Sequence, residues 1–396
     1  MGDVTWSATR RRVFAVVVSA FVTGLAFTGL TVILPLYATE QLGLSNAQFA
    51  RVLSLRMTGI TVGVIFLGAL SDRFGTRRFA ALALVGGGLG LGLLGMVPVA
   101  GFLILIPVIS GLLSTAFVNL NHLTQVADPA RPGRSNTLYR ASGTLAGILA
   151  PVVVTRLLGY SAWVFAAGGL LLCLGGLALR GYPRDENHEP FQGWPAEARL
   201  IAGMYRSALG QPHLMRYIHL SLVWNGLTAA VTTFVAIRLT KELAALPALY
   251  GNACSIGFAL TLGGILALGA VLDRSSVKWW TVGLSILGSL CLVGAGLTDS
   301  AGLTAVCFVV YTIATGVMIA PLSMWIGREG ERVGLSTAFS VHKVFAAAYL
   351  AVATFGFGFL EPVVGIRTLF LICGLLTVPV LVLMARLREP QADAQL

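Results

Sequence analysis

Gly68-Ala69-Leu70-Ser71-Asp72-Arg73-Phe74-Gly75-Thr76-Arg77-Arg78 is a short polar passage between two long apolar runs, 52–71 and 79–97. Each run is about 20 residues, enough to cross roughly 30 Å of hydrocarbon as a helix. One acid and three arginines therefore sit in a tight turn at a membrane surface. The passage has a degenerate copy 201 positions later, Gly269-Ala270-Val271-Leu272-Asp273-Arg274, again at the end of an apolar run. Thr137-Leu138-Tyr139 and Thr337-Ala338-Phe339 repeat at an offset of 200. Two matches at nearly one offset describe a chain built twice in the same sense, a parallel repeat about an axis along the membrane normal.

Outward from the loop, the apolar runs are 13–36, 52–71, 79–97, 101–124, 137–158 and 161–179, then 214–238, 249–272, 279–298, 302–326, 335–359 and 363–385. Composition agrees: 56% of the 396 residues are hydrophobic and 11% charged, against roughly 25% charged in a soluble domain. The runs are continuous rather than alternating, so a transmembrane barrel is excluded. The sequence predicts an all-α integral membrane protein of twelve transmembrane helices in two six-helix bundles. The bundles are 1–179 and 213–396, and the polar interval 180–212 forms the loop between them.

Basic residues set the orientation. With the amino terminus inside, 19 of the 27 Lys and Arg fall in cytoplasmic segments and only Arg51, Arg156, Arg238, Lys241 and Arg367 in opposite ones. Both termini and the 180–212 loop are expected in the cytoplasm, and the membrane is expected to be a bacterial inner membrane. The net charge of +11 comes with no basic run longer than Arg10-Arg11-Arg12, which points to lipid headgroups rather than nucleic acid. Five cysteines lie inside apolar runs without a CxxC pair and read as small buried hydrophobes. The chain has no GxxxxGK[ST], HExxH or Gly-x-Ser-x-Gly, so an enzyme, a cofactor and a metal site are not expected.

The 68–78 loop resembles the Gly-x-x-x-Asp-Arg-x-Gly-Arg-Lys/Arg signature of the major facilitator superfamily. With the twelve runs and the second copy, the resemblance extends over essentially the whole chain. It implies two bundles around a central cavity and alternating access by rocking. Runs 1, 4, 7 and 10 would line the cavity, and 2, 5, 8 and 11 would flank it. It further implies a conformational latch at Gly68, Asp72, Arg73, Gly75, Arg77 and Arg78, with a weaker one at Asp273 and Arg274. Gly143-x-x-x-Gly147-x-x-x-Pro151 looks like a loose form of the antiporter signature of drug-exporting members.

Ionisable groups inside membrane helices mark function by default. No Asp or Glu lies in the middle of a run; Arg56, Arg140 and Lys343 do, with His122, His219 and His342. Each also has a structural reading. Arg56 could snorkel outward beside Arg51, Arg140 could pair near the cytoplasmic surface, and the histidines could be satisfied core groups. Lys343 is the deepest, roughly 12 Å in from Leu335 by helical rise. Asn119, Asn121 and Gln125 add neutral polarity to the fourth run; Asn225, Thr228 and Thr232 share one face of the seventh. Such groups also serve as interhelical glue.

The candidate substrate-binding set is Arg56, Asn119, His122, Arg140, Asn225, His342 and Lys343. A positive interior without acids favours a bound anion, so the expected function is secondary transport of a small organic anion, a carboxylate, by a monomer. Protons or a counter-anion are the expected co-substrates. Two alternatives stand beside it: proton-driven efflux of drugs or hydrophobic metabolites, and a non-transporting sensor or assembly protein on the same scaffold.

Overall fold

A computed structural model of the chain describes residues 2–67, 71, 75–127, 132–182, 193–272, 276–330 and 335–388. Helices α1 (Gly2–Leu36), α2 (Asn46–Val62), α3 (Thr76–Leu94), α4 (Val99–Ala127), α5 (Pro132–Arg156) and α6 (Ser161–Ala178) follow the first six runs. α7 (Trp194–Leu209) lies in the polar interval. α8 (Pro212–Thr232), α9 (Pro247–Leu272), α10 (Val277–Leu297) and α11 (Ala301–Gly330) follow the next four. The last two runs form one element, α12 (Leu335–Arg386), broken at Gly365 where φ is 77° and ψ 160°. Among the described residues all regular structure is helical, because a backbone surrounded by lipid must satisfy its hydrogen bonds within each segment. Side-chain hydroxyls follow the same rule: Ser19, Thr23 and Thr124 donate to carbonyls four residues back at 2.6–2.8 Å.

Among the described residues nine helices are long and apolar enough to cross a membrane, one of them the two-armed stretch Val341–Arg386. α8, which carries His213, Arg216, His219 and Asn225, is not among them, and the apolar part of α5 is the shorter Ala141–Arg156.

The chain divides into two compact units, one of residues 1–44 and 52–191, the other of 45–51 and 192–396. In the first, α1 packs on α5 and α3 packs on both α4 and α6. The approach of α3 to α6 is close enough that a Cβ on Gly88 would stand 2.6 Å from the Gly169 carbonyl oxygen; only paired glycines allow it. In the second unit, α8 packs on α12, and α10 packs on α11 and α12, the same pairing scheme. Its core includes Trp325 stacked on Tyr217 at 3.9 Å and Trp224, whose indole nitrogen donates to Ser289 Oγ at 3.0 Å.

The repeat extends to local backbone. α1 ends in a π-turn at Tyr37–Gln41 and α8 is followed by one at Arg238–Glu242, 201 positions later. Leu42 N–H donates to the Tyr37 carbonyl (3.0 Å) and Leu44 N–H to Ala38 (2.9 Å); Leu243 to Arg238 (2.9 Å) and Ala245 to Leu239 (2.8 Å) reproduce them at the same offset. Gly43 has φ 64°, and its counterpart Ala244 has φ 50°. The second copy thus holds an alanine in the left-handed region, where an L side chain is strained.

Candidate functional site

In the first unit the candidate site is built on α1 and α2. Arg56 projects from α2 and is only 2% exposed. Its Nη2 donates to Thr31 Oγ1 at 2.7 Å, and its guanidinium carbon lies 5.0 Å from the centroid of the Phe27 ring. Phe27 and Thr31 are one helical turn apart on α1, so one face of that helix supplies a ring and a hydroxyl to the same cation. The Thr31 hydroxyl donates its own hydrogen to the Phe27 carbonyl at 2.8 Å, leaving its oxygen lone pairs to accept from Arg56. Phe27 is braced by Phe117 of α4, edge to face at 5.4 Å. Buried Arg56 Nε has no hydrogen-bond partner, and among the described residues no carboxylate pairs with Arg56. Thr31 itself is exposed.

A second buried arginine sharpens the contrast. Arg238, also 2% exposed, pairs with Glu242 at 2.6 Å and donates to the Thr298 carbonyl at 2.7 Å. In the sequence Arg238 is the last residue of the run 214–238, at an outer helix end, and nothing there announces its burial. Arg56 has the same burial without an acid.

The other candidates fall apart from this cluster. Asn119 on α4 is 1% exposed and its Nδ2 has no partner; no hydrogen bond joins it to Arg56. Asn225 is half-buried on α8, and its companions Thr228 and Thr232 bond carbonyls of their own helix at 3.0 and 2.9 Å, which makes them packing groups. His342 has a buried Nε2 without a partner. Lys343, expected to be deeply buried, is exposed on the surface of its unit. It follows His342 directly, so it points away from the face that α12 packs against α8. The side chains of His122 and Arg140 lie outside the described residues.

Of the loop residues, Gly68, Asp72, Arg73, Asp273 and Arg274 lie outside the described residues. Gly75 has φ 101°, a conformation that favours glycine, at the entry to α3. Arg77 Nη1 donates to the Tyr182 carbonyl, and Tyr182 Oη donates to the Leu123 carbonyl at 3.1 Å, so Arg77 is tied to the ends of α6 and α4. Arg78 is exposed. In the second copy Ser276 stands at the Gly75 position with φ −69° and caps α10 through Trp279 N–H, so glycine is not required there.

A family model for the Major Facilitator Superfamily matches residues 16–354. The chain belongs to the major facilitator superfamily. Membership makes it a multi-pass membrane transporter. Similar solved structures are those of the nucleoside transporter NupG (15% identity, TM-score 0.74, 94% of this chain and 98% of that one) and a bacterial homolog of the human lysosomal transporter Spinster (13%, 0.76, 96% of each). The human organic anion transporter TETRAN is another (16%, 0.66, 95% of this chain and 99% of that one). At these identities they show the fold. A comparison with curated proteins returned no match.

Proposed function

We propose that this superfamily member carries a small organic anion, a carboxylate, by alternating access, and that Arg56 is the principal anchor for the anion. The observation that carries the reading is a guanidinium buried to 2% with a ring, one hydroxyl and, among the described residues, no carboxylate paired with it. Burying a lone charge costs several kcal/mol. The Thr31 bond, at about 1.5–3 kcal/mol for a charged donor, and the Phe27 contact, at about 0.5–2 kcal/mol, offset part of that. A carboxylate bound to the unused Nε edge would offset the rest, in the planar two-donor geometry that arginine favours.

The efflux alternative rests on a loose motif alone: the close approach of α1 to α5 belongs to Gly24, whose Cβ would stand 2.9 Å from Ala146 Cβ, while a Cβ on Gly143 would meet nothing within 4 Å. The cytoplasmic placement of both termini, in a bacterial inner membrane, rests on the basic-residue count and is part of the proposal. So is the latch, for which the anchored Arg77 offers one fixed point.

The test is calorimetric titration of purified protein with lactate, succinate, citrate and benzoate, and with tetraphenylphosphonium as a lipophilic cation. At least one carboxylate is expected to bind the wild type and not Arg56→Gln. Binding of the cation alone, or carboxylate binding indifferent to Arg56→Gln, would overturn the reading.

A further inference from the structure

The second unit holds a titratable pair that the anion anchor does not use. On α8, Leu214, Tyr217, Ile218 and Leu222 form the buried face, at the spacing of a helical stripe. His219 is set at its edge toward α12. Its Nδ1 lies 2.9 Å from Tyr349 Oη, and its ring meets Phe345 edge-on (5.2 Å, 81°) and the Tyr349 ring (5.9 Å, 62°). Both partners are half-buried. His342, Phe345 and Tyr349 lie at i, i+3 and i+7, one stripe of α12, and His342 carries a buried Nε2 with no partner. Two imidazoles thus belong to the α8–α12 packing, in a membrane segment where the sequence supplies no acid.

We propose that the His219–Tyr349 pair is the proton-carrying site of this transporter and couples anion movement to protons. This rests on the reading of the chain as an anion carrier. A neutral imidazole has one donor and one acceptor nitrogen, and a tyrosine hydroxyl can be either partner. A proton from the aqueous phase adds to the nitrogen lone pair and gives an imidazolium. Both ring nitrogens are then donors, Tyr349 Oη becomes the acceptor, and its own hydrogen turns to another group. No other bond forms or breaks, and release reverses the step. The hydrogen bond to Tyr349 survives in both states, so the site can load and unload without opening the α8–α12 packing.

The surrounding charges suit this role. On its own helix are His213, Arg216 and Tyr217, with His213 and Arg216 exposed. On α12 are His342 and Lys343. Lys278 of α10 is directed to the carbonyls of Ala385 and Leu387 (3.0 and 3.2 Å). α11 brings Arg328 and Glu329 only in its last turn, and α7 brings Glu197, Arg199 and Arg206 from the polar interval. Among the described residues no carboxylate is bonded to His219. A carrier that takes one proton with one monovalent anion has no net charge to move against the membrane potential.

The experiment uses the full-length protein in proteoliposomes, with labelled lactate, succinate, citrate and benzoate as probes. Two quantities are read: exchange at equal concentrations without a gradient, and accumulation under pH gradients of two units in either direction. The wild type is expected to accumulate a monovalent anion up to about 100-fold for one gradient polarity, tenfold per pH unit. His219→Asn keeps a polar atom near the Nδ1 position but cannot become a cation. It is expected to retain exchange and to lose gradient-driven accumulation. Tyr349→Phe keeps the ring packing and removes the hydroxyl, and should lower accumulation with exchange retained; it decides the matter if His219→Asn does not fold.

Gradient-driven accumulation retained in His219→Asn, or exchange and accumulation lost together in a folded variant, would overturn the proposal. Should none of the four carboxylates move in the wild type, the carrier reading fails but this site is still tested. The ¹⁵N signals of His219 in bilayers, assigned by their absence from His219→Asn, should show both the neutral and the imidazolium form as the bathing pH is varied and move in Tyr349→Phe. A single neutral tautomer at every pH at which the protein stays folded would overturn it.

Discussion

Removing Arg56 and removing Arg238 should have opposite effects on stability, although both side chains are 2% exposed. Arg56→Met replaces a cation by an apolar chain of similar length. It loses the 2.7 Å bond to Thr31 and the ring contact with Phe27, together about 2–5 kcal/mol. It also removes the several kcal/mol of desolvation borne by an unpaired buried charge. The two nearly cancel, so the ligand-free variant should melt within about 1 kcal/mol of the wild type or above it. Arg238→Met loses the bond to the Thr298 carbonyl, about 1.5–3 kcal/mol for a charged donor, and the 2.6 Å pair with Glu242, whose side chain is 36% exposed, about 0.2–1 kcal/mol, together about 2–4 kcal/mol. At about 2–4 °C per kcal/mol for units of roughly 200 residues, that places Arg238→Met at least about 4 °C below the wild type and below Arg56→Met. Tryptophan fluorescence during heating measures this on purified protein. A melting temperature for Arg56→Met as low as that of Arg238→Met would show that Arg56 is compensated in the empty protein, and the need for an anion would disappear.

Four further outcomes follow from the same geometry. Ala244→Gly should raise stability by about 1 kcal/mol by relieving the left-handed alanine, while Gly43→Ala should lower it by a similar amount; thermal melts of the two read both signs. Gly88→Leu should separate α3 from α6 and greatly reduce folded yield, measured by size-exclusion of the detergent-solubilised protein. Arg77→Ala should cost about 1.5–3 kcal/mol by releasing the Tyr182 carbonyl, with Arg77→Lys recovering part of it in the same melt. Cysteines placed near Gln41–Ala47 should label from outside the cell and one at Glu186 should not; the reverse pattern would invert the topology.

The helices were legible because each is a continuous apolar run and because lipid leaves the backbone no alternative. The repeat was legible through Asp72 and Asp273, and the structure carries the same offset into the two π-turns, which no residue pattern announces. The break between the last two runs is expected at 360–362; Pro362 lies inside the helix, and it is Gly365, with its positive φ, that turns the chain. Among the candidate residues, Arg56 was singled out by its charge alone. Its partners Phe27 and Thr31 are ordinary residues of an apolar run, and only their i, i+4 placement opposite α2 could have suggested them. For Lys343 helical rise gives position along α12 and not direction; its side chain is exposed, which no residue count could show. Arg238 closes the seventh run and was counted with the outer loops and helix ends; that count says nothing of burial, which comes from its place at the start of the π-turn. His219 was visible as a titratable group, but its pairing with Tyr349, 130 residues away, needed the fold.

The most direct test of the account is uptake of labelled carboxylates by proteoliposomes holding equal amounts of wild type, Arg56→Gln and Arg56→Lys. The wild type should take up at least one of lactate, succinate, citrate or benzoate. Arg56→Gln should fall to the level of empty liposomes, and Arg56→Lys should recover only part, because an ammonium replaces the charge but not the planar pair of donors. Wild-type rates in Arg56→Gln would contradict the assignment of the buried, acid-free guanidinium as the anion anchor.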